Sequence, residues 1–140
     1  MRIIIGLVLL LCSFSVNAAS ITDIKDTNRV CQKAAAIFGT GDAKVSFETL
    51  KPYWPLPKEE IDNLAYQTES QLKMVSSRFG KILGSDFVST RRAGNSFVRH
   101  TYIIKFEKHA VRYMCTFYKP KNIWLVNEIV WDDQIRQLFE

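Results

Sequence analysis

Four polar side chains in the second half of this sequence, surrounded by apolar residues, are the groups that could do chemistry. They are His100, Tyr102, Tyr113 and Glu128. A carboxylate next to a phenol in apolar surroundings can act as a general base with an oxyanion-stabilising donor, because burial raises the pKa of a carboxyl group. Such a pair could abstract a proton beside a carbonyl. The alternative is structural: tyrosines in the core with satisfied hydroxyls, and a glutamate that lies near the mouth of the cavity or pairs with a lysine or arginine.

Other kinds of site have weak or no signals. The sequence contains no zinc-type spacing of histidine and cysteine, no acidic calcium loop, no phosphate-binding glycine loop and no Gly-x-Ser-x-Gly motif. We therefore expect no metal and no cofactor. His109 falls in a predicted turn and is expected to be solvated. Arg91 and Arg92 predict a charged turn beside Gly94; the alternative is that they bind an anionic ligand.

These candidates lie on strands. From Asp86 onward, β-branched and aromatic residues dominate and are interrupted by turn signals. The pattern predicts four strands, at about 83–91, 96–107, 110–119 and 123–132.

Two tight turns would align these strands. A two-residue loop at Lys108-His109 and a tight turn at Pro120-Lys121 fix the predicted register. The predicted partners are Phe106–Val111, Ile104–Tyr113, Tyr102–Cys115, His100–Phe117, Phe117–Trp124, Cys115–Val126, Tyr113–Glu128 and Val111–Val130. All of these side chains share one face of the sheet, which would hold the ligand-binding candidates His100, Tyr102, Tyr113, Trp124 and Glu128.

The opposite face of the predicted sheet is unusually apolar. Its apolar members include Ile103, Met114, Leu125, Ile129 and Trp131. Because an exposed apolar patch commonly marks an interface, we expect a homodimer or a docked protein partner through this face of the sheet.

The first half of the chain predicts three helices. Apolar residues recur at helical spacing from Ile21 to Phe38, Asp42 can cap a second helix, and Pro57 begins a third that ends at Gly80. Helices followed by an antiparallel meander predict an α+β fold, with the three helices packed on one face of the sheet.

The cysteines predict a disulfide. Cys12 lies in the N-terminal apolar run, which leaves Cys31 and Cys115 as an even pair for an oxidising compartment. Two separately buried thiols are the alternative.

The N-terminus has the pattern of a secretory signal peptide. Arg2 precedes an apolar run of about 14 residues, too short to span a bilayer, and Ala18 offers a small-residue cleavage site. We expect residues 1–18 to be removed, leaving no stable membrane anchor and one domain over residues 19–140, periplasmic or secreted. Loss of Arg2 lowers the net charge from +5 to +4, which is too small a surplus to indicate nucleic-acid binding.

The predicted helices are followed by aromatic-rich segments at Tyr102–Phe106, Tyr113–Pro120 and Trp124–Trp131. In this order the sequence resembles the nuclear transport factor 2-like superfamily, and within it the small exported bacterial branch of unknown function. The resemblance implies a strongly bent, cone-like sheet around the helices, a cavity between them, and a dimer through the back of the sheet. Members include isomerases, dehydratases and binding proteins, so the fold does not decide the function.

We interpret the protein as an exported, non-enzymatic binding module that holds a small apolar or amphipathic ligand, or docks a protein. The alternative is a small isomerase or hydratase that uses Glu128 with Tyr113 or Tyr102.

Overall fold

The computed structural model describes residues 20–140, so the predicted signal peptide and Cys12 lie outside the described residues. Its elements are α1 Ile24–Phe38, α2 Ala43–Leu50, α3 Lys58–Phe79, β1 Ile82–Ala93, β2 Phe97–Phe106, β3 Ala110–Tyr118 and β4 Leu125–Asp132, with short 3₁₀ helices at Lys51–Tyr53 and Ile135–Phe139. The strands form an antiparallel sheet in the order β1-β2-β3-β4, which confirms the predicted α+β class.

Capping residues explain where the helices begin and end. The Asp23 carboxylate accepts a backbone N–H at 2.9 Å at the start of α1, and Asp42 accepts the N–H of Val45 at 3.0 Å at the start of α2. Helix α3 ends at Gly80, whose φ of 91° lies in the left-handed region that favours glycine. The positions of Asp42 and Gly80 agree with the helix limits that the sequence predicts.

The helices pack on one face of the sheet, which we call the inner face. Helix α1 contacts β1, β2 and β3, while α2 contacts both α1 and α3. Cys31 of α1 and Cys115 of β3 lie at disulfide distance, with Cα atoms 5.9 Å apart, which confirms the predicted pair. The largest fully buried inner-face side chains are Val98, Ile104, Tyr113, Phe117, Trp124 and Val126.

The β2–β3 register is shifted by two residues from the predicted one. His100 lies opposite Cys115 and Tyr102 lies opposite Tyr113. The predicted loop at Lys108-His109 is displaced by one residue: the backbone N–H of Phe106 donates to the carbonyl of His109 at 2.8 Å, so Glu107 and Lys108 lie in the turn. Since a shift of two residues leaves each side chain on its own face, the predicted inner face of β2 and β3 is retained.

The β3–β4 register differs more seriously. The chain pairs Phe117 with Val126 but then shifts register, so that Thr116 lies opposite Glu128 and Tyr113 lies opposite Trp131. One extra residue at this bulge moves every later side chain of β4 to the other face. The predicted Tyr113–Glu128 pair is therefore wrong.

Both ends of the described chain lie against the sheet. The backbone N–H of Trp124 donates to the carbonyl of Ile21 at 2.8 Å, which adds a short bridge beside β4. The C-terminal 3₁₀ helix, Ile135–Phe139, contacts β3. Among residues 20–140, no helix combines the length and apolar character that a bilayer-spanning helix needs.

Candidate functional site

His100 is a structural histidine in this fold. It is buried, with Nε2 2.7 Å from the Thr27 hydroxyl and Nδ1 2.8 Å from the Thr90 hydroxyl. Because Thr27 donates its own proton to the carbonyl of Ile24 at 2.6 Å, it must accept from Nε2–H. Nδ1 therefore accepts from Thr90. Burial lowers the pKa of His100 to about 4, so the ring is neutral at pH 7.

The two inner-face tyrosines are also bound to structural partners. The Tyr102 hydroxyl donates to Oδ1 of Asn28 at 2.8 Å, and the Tyr113 hydroxyl lies 3.2 Å from the Ser46 hydroxyl. Burial raises the pKa of both phenols. Throughout residues 20–140, no buried side-chain nitrogen or oxygen lacks a hydrogen-bond partner. These groups fasten α1 and α2 to the sheet.

Trp124 and Glu128 lie on opposite faces. Trp124 is buried on the inner face, with the Lys119 ammonium 5.1 Å from its ring centroid. Glu128 lies on the outer face, where a carboxylate oxygen is 3.0 Å from Nη2 of Arg99. The structure therefore brings His100, Tyr102, Tyr113 and Trp124 into the core and places Glu128 outside it. The shifted β4 register is the physical reason.

The predicted interface residues are divided in the same way. Ile103, Met114 and Leu125 lie on the outer face as predicted, although Met114 is buried beneath neighbouring side chains. Placing Ile129 and Trp131 on that face is wrong, because the bulge turns both toward the helices. The Trp131 ring packs against Phe38, with centroids 5.5 Å apart.

An open groove lies between the second half of α3, the start of β3 and the end of β4. Its volume is about 660 Å³, which lies within the range of small-molecule sites. We call it the α3 groove. Its walls are formed by Gln71, Met74, Val75, Arg78, Phe79, His109, Val111, Trp131, Asp132 and Asp133. It is lined mainly by apolar and aromatic side chains, with charged groups at several positions.

Two charged side chains of the α3 groove, Arg78 and Asp132, already contact other side chains. The Arg78 guanidinium lies 5.0 Å from the centroid of the Phe79 ring, and His109 stacks on the same ring at 4.2 Å. The Asp132 carboxylate accepts two hydrogen bonds from Arg112, both 2.8 Å long, and these hydrogen bonds lower its pKa. Asp133 lines the groove and forms no ion pair with any residue of the described range.

Sequence reasoning missed most of this groove. The prediction that His109 is solvated overlooked its stacking on Phe79, at the place where the backbone N–H of Lys108 in the β2–β3 turn donates to the carbonyl of Phe79 at 3.0 Å. Met74 and Arg78 are separated by one helical turn, a spacing that places both on one side of α3 and that was a usable signal. Within residues 20–140, no group of three histidine, cysteine, aspartate or glutamate side chains is arranged to hold a metal ion.

Comparisons with protein-family models, with curated proteins and with solved structures find no match to this chain. The site must therefore be interpreted from its own geometry.

Proposed function

We propose that the protein is an exported, non-enzymatic binding module whose α3 groove holds a small amphipathic molecule with an anionic group. The single observation that carries this proposal is the groove itself, an open site of about 660 Å³ with apolar walls. Its exposed wall residue Met74 retains 66% of its accessible surface, so an apolar ligand would bury surface that the fold leaves in water.

Charge supports an anionic group on the ligand. Stacking on Phe79 holds the Arg78 guanidinium beside the groove, where its planar fork can bind a carboxylate, phosphate or sulfonate. The charge of Asp132 is balanced by Arg112, so Asp133 is the main opposing charge. The chain also carries a net positive charge, which favours the approach of anions.

The enzymatic alternative has lost its geometric basis. It required Glu128 to face Tyr113 or Tyr102, yet Glu128 lies on the outer face and both hydroxyls are bound inside the core. A general base must reach the proton that it removes. We therefore favour binding over catalysis.

Export and family membership are parts of the same proposal. The Cys31–Cys115 pair supports an oxidising compartment, periplasmic or extracellular. Membership of the nuclear transport factor 2-like superfamily rests on the resemblance of the sequence and stays a proposal. The homodimer stays a prediction, since two of the five residues on which it rested face the helices.

The test uses anilinonaphthalene sulfonate, an anionic amphipathic fluorophore, with the folded protein at neutral pH. Wild-type protein should enhance its fluorescence with saturable binding. A Met74→Glu variant should bind the probe about tenfold more weakly, because it places a carboxylate on the apolar wall. Tyr66→Glu is the matched control: Tyr66 lies on α3 outside the groove and is 76% exposed.

Equal loss of binding in both variants would contradict the proposal, since the probe would then respond to added charge rather than to the groove. Unchanged binding in Met74→Glu would contradict it as well. Capture of a protein in place of the probe would assign the groove to a protein partner.

A further inference from the structure

Strand β1 forms one edge of the sheet, because it has a neighbouring strand, β2, on one side only. Within residues 20–140, its backbone hydrogen-bonds to β2 and to no other main-chain segment. One side of this strand of 12 residues therefore carries backbone N–H and C=O groups that no other strand covers. Such an edge is a template for pairing with a strand of another chain.

The exposed side chains of β1 include three large apolar residues. Leu83, Phe87 and Val88 retain 60%, 52% and 37% of their accessible surface. The Phe87 ring packs edge-on against Tyr102, with centroids 5.3 Å apart, so its position is fixed although half of its surface is in water. Covering these side chains with another chain would remove apolar surface from water, which favours association.

A β-bulge decides which side chains of β1 share a face. The register with β2 shifts between Phe87 and Ser89, where β1 has one extra residue. Side chains separated by an odd number of positions normally lie on opposite faces of a strand. Because of the extra residue, Asp86 and Arg91 both lie on the outer face, the face turned away from the helices. Thr90 likewise shares the inner face with Phe87.

This arrangement makes β1 complementary to a second copy of itself. In two antiparallel copies related by a two-fold axis at the bulge, Asp86 of each copy lies opposite Arg91 of the other on the outer face. On the inner face, Phe87 lies opposite Thr90, which places an aromatic residue beside a β-branched one. Both kinds of cross-strand pair stabilise antiparallel sheets. Each pair occurs on both sides of the axis, as a two-fold interface requires.

The existing contacts of Asp86 and Arg91 leave both side chains able to take a new partner. Asp86 lies 3.3 Å from Lys105 through one carboxylate oxygen, and both side chains of this pair are exposed. Arg91 donates one N–H to the backbone carbonyl of Glu140 at 2.8 Å, and its guanidinium has further donors. Because exposed ion pairs contribute little free energy, the charges set the register of association. Backbone hydrogen bonds and the burial of Phe87 provide most of the affinity.

We propose that β1 is a dimerisation edge, at which a second copy of this chain adds its own β1 in the antiparallel direction. The two four-stranded sheets then join into one continuous sheet. The occupant is a second copy because β1 matches itself both in charge and in side-chain type. This dimer differs from one formed through the outer face, and it does not depend on the function assigned to the α3 groove.

The test is sedimentation velocity of the folded, oxidised chain and of two charge-reversed variants. Wild-type protein should form a dimer with a dissociation constant in the micromolar range. Asp86→Arg and Arg91→Asp each place like charges opposite each other on both sides of the axis, so each alone should weaken dimerisation about tenfold or more. An equimolar mixture of the two variants restores both opposite-charge pairs, and it should form a mixed dimer about as tightly as wild type.

Arg29→Asp is the matched control, since Arg29 lies on α1 with a side chain that is 79% exposed, and this variant should dimerise like wild type. Phe87→Lys is a second variant, which puts a charge on the apolar part of the edge and should also weaken the dimer. Near-ultraviolet circular dichroism checks that each variant is folded.

A wild-type protein that stays monomeric at millimolar concentration would overturn the proposal. A dimer that is unaffected by Asp86→Arg, Arg91→Asp and Phe87→Lys would overturn it as well, and would assign dimerisation to another surface. Failure of the two charge-reversed variants to form a mixed dimer would contradict the antiparallel register on which the proposal rests.

Discussion

The inner face of β2 and β3 and the α3 groove contain similar kinds of side chain, yet the fold uses them differently. On the inner face, His100, Tyr102 and Tyr113 are buried, and each is bound to a serine, threonine or asparagine. In the groove, His109 and Trp131 are only partly buried and border open space. Residue type alone therefore does not separate structural from binding roles. Side chains with structural roles have complete hydrogen bonding, whereas side chains with binding roles border accessible volume.

The comparison predicts that changes on the inner face alter stability, whereas changes in the groove alter binding. The largest effect should come from the disulfide. Replacing Cys31 and Cys115 together by alanine should lower the free energy of unfolding by about 4 kcal/mol, because the crosslink closes a loop of 84 residues. Denaturant unfolding measures this loss. A loss below about 1 kcal/mol would show that the crosslink does not constrain the unfolded chain as the loop-entropy account requires.

The second effect concerns His100 and pH. Its pKa is about 4 in the folded protein, below the ordinary value of 6.5, so the unfolded chain binds a proton that the folded protein does not. The contribution of His100 to the free energy of unfolding is fully present above pH 6.5. It falls by about 3 kcal/mol in all as the pH drops toward 4. In unfolding measurements, the free energy of unfolding of a His100→Gln variant should lack this part of the loss between pH 6.5 and 4.

His109→Gln is the control for that experiment, because His109 lies at the groove and outside the core. It should keep the slope of stability against pH seen in wild type. An equal change of slope in both histidine variants would contradict the assignment of the effect to the inner face.

A smaller effect is expected for the inner-face hydroxyls. Tyr113→Phe removes the contact with Ser46 and should cost about 1 kcal/mol of stability. Because Tyr113 does not line the groove, affinity for anilinonaphthalene sulfonate should stay at the wild-type value. Thermal unfolding and fluorescence titration of the same sample measure both quantities. Weaker probe binding in this variant would mean that the core and the groove are coupled.

The smallest effects should come from the charges of the groove. Arg78→Gln should weaken binding of the anionic probe about two- to fivefold, and Asp133→Asn should strengthen it by a similar factor, as expected for exposed charges. Fluorescence titrations at low salt measure the changes, and added salt should reduce both. The opposite pattern would assign the groove to cationic ligands.

The fold could be predicted from sequence because its signals are local. The caps at Asp42 and Gly80, and the alternation within β2 and β3, depend on neighbouring residues, and the structure agrees with them. The disulfide was also predictable, because the N-terminal pattern predicts export and leaves Cys31 and Cys115 as an even pair.

The candidate site could not be predicted because it depends on register and on long-range packing. One bulge in β4 decides whether Glu128 or Trp131 faces the helices, and it has no clear sequence signal. The groove also requires α3 to lie beside the ends of β3 and β4. Such proximity follows from the whole fold and not from the spacing of Met74 and Trp131.

The central claim, that the α3 groove is the ligand site, can be tested most directly by NMR of ¹³C-labelled methionine methyl groups. Residues 20–140 contain two methionines: Met74 in the groove and Met114 beneath the outer face. Titration with anilinonaphthalene sulfonate should move the Met74 signal to saturation and leave that of Met114 in place. A shift confined to Met114, or no shift at Met74 at saturating probe, would contradict the claim.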